Sequence, residues 1–135
     1  MKKDIIVPKV SNIAIAAIPE DENIEKSSVW NIYLINLKEE TISNVMITSK
    51  GYGEDNGEKV KTSTLRWFYD EIESKEYIKI EPILKQLLHL SHEFWVSFQW
   101  NGSLLDRKFV FVSSSLNENN FVQIPILNTK GVMII

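Results

Sequence analysis

Two Asn-Gly dipeptides, Asn56-Gly57 and Asn101-Gly102, each stand beside runs of alternating apolar and polar residues. A two-residue type I′ turn needs positive φ at both central positions, and Asn followed by Gly tolerates this best. The chain is therefore expected to fold back on itself twice as antiparallel hairpins. Before the second turn, Phe94, Val96, Phe98 and Trp100 share the inward face, and Trp95, Ser97 and Gln99 the outward one. Strict pairing would set Phe98 opposite Leu105, Val96 opposite Arg107 and Phe94 opposite Phe109, which places a charge on the core face. The expectation is a bulge near Asp106, or a hairpin tip that projects past the core so that Arg107 reaches water.

The other β signals are shorter. Val10 to Ile18 alternates and ends at Pro19. Val29 to Lys38 is dense in β-branched and aromatic residues, with Trp30, Ile32 and Leu34 on one face and Val29, Tyr33, Ile35 and Leu37 on the other. A strand apolar on both faces is either covered on both sides or part of a surface that meets a partner. Ile42 to Ser49 reads as the next strand. In the segment after Val60, Leu65, Trp67 and Tyr69 share one face and Phe68 lies on the other. These aromatics cannot all enter one core, so either one set is exposed or covered by another chain, or a bend near Asp70 folds them under a loop. Tyr77 to Glu81 reads as a strand ending at Pro82. Ile83, Leu84, Leu87, Leu88 and Ser91 follow helical spacing, which places one short helix near 83–91. Phe121 to Leu127 forms a last strand interrupted by Pro125. The closing GVMII carries no charged side chain, so it is expected to dock on the sheet or on another subunit.

Seven to eight strands with one short helix imply an all-β chain: an antiparallel two-sheet sandwich with an immunoglobulin-like arrangement. A length of 135 residues matches one domain over 1–135, large enough for a core without staples. The chain has no cysteine, which removes disulfides, thiolate catalysis and cysteine-built zinc sites, and a cytoplasmic location is the simplest expectation. Asp4, Pro8 and Lys9 interrupt the apolar start of the chain, so no secretory leader is expected there, and no apolar run is long enough to cross a bilayer. A net charge of −3 and only two arginines, Arg66 and Arg107, argue against nucleic acid as a partner.

No motif carries catalysis. His89 and His92 stand i, i+3 beside Glu93 but lack a third ligand of clear spacing, so one partly buried and one surface histidine are expected, and no metal or cofactor. Gly51-x-Gly53 lacks the third glycine and the following helix of a phosphate loop. The serines stand in no G-x-S-x-G elbow, so the chain is read as a non-enzyme with no catalytic residues.

The stretches VWNIYLINLKEETISNVMITSKGYGEDNGEKVKTSTLRWFYDEI, PILKQLLHLSHEFWVSFQWNG and IPILNTKGVMI resemble a small, uncharacterised bacterial family of about this length. Its members are often labelled phenylalanyl-tRNA synthetase alpha subunit. The resemblance covers most of the chain and implies no defined activity. The label would imply a synthetase core, which needs a far longer chain and motif arginines for ATP, and neither Arg66 nor Arg107 stands in such a motif.

Three function classes follow. A protein-interaction or assembly module, homodimeric or bound to another protein, would present an apolar surface. Its candidate residues are Tyr33, Ile35, Leu37, Trp67, Tyr69, Val132, Met133 and Ile134. A small-ligand or peptide-binding module would show a lined cleft between the sheets or a free edge strand. An enzyme or translation-associated factor would gather polar groups with perturbed pKa values.

Overall fold

Ile13, Ile15 and Ala17 point one way and Ala14, Ala16 and Ile18 the other, and all six are buried. A strand apolar on both faces is stable only inside a sheet. That strand, β1 (Ile13–Pro19), lies between β2 (Val29–Asn36) and β10 (Thr129–Ile134). The computed structural model describes residues 10–135. The readings of residues 1–9 as part of the domain and as no leader lie outside that range.

The first sheet has the order β6-β2-β1-β10-β9, with β6 (Tyr77–Leu84) and β9 (Val122–Ile124) at its edges. In the second sheet β3 (Ile42–Asp55), β7 (Ser91–Trp100) and β8 (Ser103–Phe111) are neighbours in that order. The other edge of β3 is shared by two strands. β4 (Glu58–Lys61) pairs with Tyr52–Asp55, and β5 (Leu65–Ile72) pairs with Ile42–Ser49. All pairings are antiparallel, and each sheet has five strands. The sheets form a sandwich. Ile15, Trp30 and Leu34 from the first meet Ile47, Phe94 and Phe98 from the second in one core. Each such side chain contributes roughly 1.5–3 kcal/mol by leaving water.

Both Asn-Gly pairs form the expected turns. Asn56 and Gly57 have φ of 53° and 81°, Asn101 and Gly102 of 53° and 77°. Asp55 pairs with Glu58 and Trp100 with Ser103. The β7–β8 register runs without a shift, so Arg107 does stand opposite Val96 and no bulge intervenes. Its guanidinium reaches outward over the Phe109 ring, 4.3 Å from the centroid, and donates to the Ile135 carbonyl at 3.3 Å. The GVMI segment docks on the sheet as β10, paired with β1.

Three expectations are corrected. The described residues form ten strands, not seven or eight. The stretch after Val60 breaks at Thr62–Thr64 into β4 and β5, and the chain end divides into β9 and β10 at a turn where Ile126 and Asn128 take positive φ. The short helix near 83–91 does not form. Ile83 and Leu84 complete β6, pairing with Trp30 and Val29, and only Lys85–Leu87 makes a single 3-10 turn. Core burial of Ile83 outweighs local helical spacing, and the few residues left before β7 are too short to nucleate a helix. The strand starting at Tyr77 also does not stop at Pro82. A proline is tolerated there because β6 is an edge strand.

Candidate functional site

Side chains on the inward face of β3 shrink from Ile47 onward: Ile47, Ser49, Gly51. Ser49 pairs with Phe94 and Gly51 with His92 on β7. The apolar core therefore gives way at Ser49 to polar and missing side chains. The same level is where β4 hands the β3 edge over to β5. Across that crossing, Gly51 N–H donates to Thr62 Oγ1 at 2.7 Å, and Thr62 N–H donates to the Gly51 carbonyl at 2.8 Å.

The opposite wall is made by an irregularity in β6. Asn31 pairs with Pro82 but Tyr33 with Lys79, so two residues, Ile80 and Glu81, oppose Ile32 alone. A bulge of this kind reverses the alternation beyond it. Ile78 and Ile80 pack on the core before it and Ile83 after it, and Glu81 is turned toward the second sheet. Its Oε1 accepts a hydrogen bond from the Ser49 hydroxyl.

Between these walls lies a cleft of about 220 Å³. Ser49, Thr62, Ser63, Glu81 and His92 supply its polar groups, and Leu65, Ile83, Leu84, Leu87 and Phe94 most of its apolar lining. Ser49 and His92 are only 4% and 5% exposed. His92 Nε2 lies 2.7 Å from the Leu87 carbonyl. A carbonyl can only accept, so Nε2 carries the proton and Nδ1 is an acceptor in the neutral ring. Burial pushes the imidazole below its ordinary value of 6.5, opposed by the hydrogen bond to Leu87 and by Glu81, so the ring is neutral at pH 7. Gly51 leaves the space that the ring fills. A Cβ there would lie 3.1 Å from both His92 Nδ1 and Cε1.

Ser49 is thus bonded to a carboxylate, and Nε2 of His92 to main chain, rather than to each other. His92 and Glu93 are successive strand residues and face opposite sides of the second sheet. Glu93 lies near Lys50 at 3.8 Å and Lys108 at 3.9 Å on the outer face. His89 stands in the preceding turn, 3.7 Å from Asp55. Among the described residues, no three metal-ligating side chains converge.

The eight surface candidates are distributed over three places. Tyr33, Ile35, Leu37 and Met133 come together on the outer face of the first sheet, in a second apolar cluster with Ala14, Ala16, Ile18 and Ile124. Val132 and Ile134 face the sandwich core, as do Trp67 and Tyr69, which are half-buried at its β5 margin. The outer face of the second sheet instead exposes Met46, Phe68 and Trp95 at 47%, 57% and 47%, with Met46 directly opposite Phe68. No sequence pattern brings Ser49, Gly51, Glu81 and His92 together as a site. The available signals were the Ile47, Ser49, Gly51 taper and the isoleucine spacing 78, 80, 83, which fits no uninterrupted strand.

No protein-family model matches the sequence, no curated protein is significantly similar to it, and no solved structure matches it significantly. Among the described residues, no helix is long and apolar enough to cross a membrane.

Proposed function

We propose that the chain is a non-enzymatic protein-interaction module that takes one side chain of a partner into the cleft between its sheets. The observation that carries this reading is the cleft itself: apolar walls around a few convergent polar groups, of which Ser49 and His92 are buried. Sites for drug-sized ligands run from about 300 to 1,000 Å³, so a space this small suits a single side chain better. The cleft also adjoins the outer edge of β6, beside which a partner segment could lie extended. Its test is an array of random hexapeptides probed with the wild-type chain and with Gly51→Ala, which narrows the cleft. Peptides that share one residue type and are lost to Gly51→Ala are expected. Absence of binding, or equal binding by the variant, overturns the reading.

Self-association is a second reading, favoured by the exposed Met46–Phe68 pair. Sedimentation equilibrium should then give a dimer that Phe68→Ser dissociates at unchanged stability. Trp67→Ala should instead cost about 2 kcal/mol, because that ring packs against the core. A strict monomer would remove this reading.

We read the arrangement as immunoglobulin-like. In support, β1, β2 and β6 are neighbours in one sheet, and β3, β7 and β8 in the other, the pattern of strands A, B, E and C, F, G. A cytoplasmic location rests on the absence of cysteine. The bacterial family resemblance adds no activity to this account.

A further inference from the structure

The cleft is asymmetric in charge. Of its lining residues only Glu81, Lys50 and His92 can carry charge. Lys50 alternates outward, its ammonium 3.8 Å from Glu93 on the far face of the sheet. His92 is neutral at pH 7 for the reasons given above. That leaves the Glu81 carboxylate as the formal charge facing the cleft. Its Oε1 is engaged by Ser49, and among the described residues neither a salt bridge to Glu81 nor a hydrogen bond to its Oε2 is formed. The neighbouring Nδ1 of His92 is a further acceptor, and Thr62 Oγ1 already donates to the Ser63 carbonyl at 3.1 Å.

Acceptors in a largely apolar cleft select donors, and a carboxylate selects a cation. Leu65, Leu84 and Leu87 line the cleft and would cover a short hydrocarbon stem. Resting on the side-chain-capture reading above, we propose that the occupant is a primary alkylammonium, presented as the lysine side chain of an extended partner segment. The ammonium would sit against Glu81 Oε2 with its methylenes along the leucines. A carboxylate or phosphate ligand would face the Glu81 carboxylate and the Nδ1 acceptor, with the Ser63 hydroxyl as the one side-chain donor left among the lining residues, and is disfavoured by the same chemistry. A guanidinium offers five donors in a rigid planar fork, more than Glu81 Oε2, His92 Nδ1 and the Ser63 hydroxyl can match.

The test is a titration of the ¹⁵N-labelled full chain, followed through the backbone amide signals of Ser49, Thr62 and His92. The probes are n-butylammonium chloride, n-butanol, sodium butyrate and a blocked Gly-Ala-Lys-Ala-Gly peptide. Saturable shifts at these three amides are expected with n-butylammonium, at least tenfold tighter than with butanol, and none with butyrate. Glu81→Gln keeps an acceptor for Ser49 and should reduce ammonium affinity to the butanol level. The lysine peptide should bind at least tenfold tighter than the free amine. Butanol binding as tightly as the amine overturns the cation assignment and leaves the cleft reading standing. Failure of every probe to move these amides overturns both. Amine binding without added affinity from the peptide keeps the ammonium and overturns the partner-segment source. The wild-type comparison among charged and neutral probes decides the issue even where Glu81→Gln unfolds.

Discussion

Single atoms decide where this sandwich is permissive and where it is not. A Cβ on Gly131 would lie 2.5 Å from the Ala17 carbonyl and 2.9 Å from Ile18 Cγ1, across the β1–β10 pairing. The main chain cannot step aside without loss of that pairing, so Gly131→Ala is expected to cost about 1–3 kcal/mol in urea denaturation. At Gly51 the neighbours are the ends of two side chains, so alanine there should cost less than at Gly131. His92 sets a pH dependence. Its folded-state pKa is depressed by burial, with Glu81 from β6 and His89 from the turn before β7 as the charged groups acting on it. As pH falls below about 6.5 the unfolded chain takes up the proton first, and native stability declines until pH passes the folded value. Urea midpoints measured from pH 8 to pH 5 should fall more steeply for the wild type than for His92→Gln. Equal slopes would assign the acid sensitivity to other groups.

Elements follow local chemistry where turns dictate them and depart from it where burial does. The two hairpins were legible because an Asn-Gly pair leaves few backbone alternatives. Replacing Asn101, which holds φ of 53°, with alanine should cost about 1–2 kcal/mol, as read from the thermal or urea midpoint. The segment after Pro82 departs from its local signal: Ile83, Leu84, Leu87 and Leu88 satisfy a helical period, while pairing of Ile83 with Trp30 across the sheet settles the matter. Sequence spacing cannot register that distant partner. The bulge at Ile80–Glu81 is an intermediate case: the shift in isoleucine parity is visible in the chain. Its consequence, a carboxylate turned between the sheets toward Ser49, depends on how β3 and β6 face each other. Fold class was therefore readable from local signals, whereas the cleft required the packing of strands that no local pattern relates.

At the scale of the molecule, the sheets are built from segments far apart in sequence. The first sheet joins the start of the described chain to its end, with β2 and β6 on one side of β1 and β10 and β9 on the other. Such topologies meet their loop-closure entropy before contacts repay it. Refolding from urea should accordingly fall in the millisecond-to-second range, measured by stopped-flow fluorescence of the four tryptophans. Microsecond refolding would contradict this connectivity. The same closure bears on biosynthesis. About 110 residues separate the end of β1 from the start of β10, so a ribosome adding ~5–20 residues per second leaves the β10-facing edge of β1 without its partner for roughly 5–20 s. During that interval a nascent chain carries an apolar, two-faced strand with one open edge, a natural substrate for a holding chaperone and the stage at which mispairing between neighbouring polysomal chains would begin.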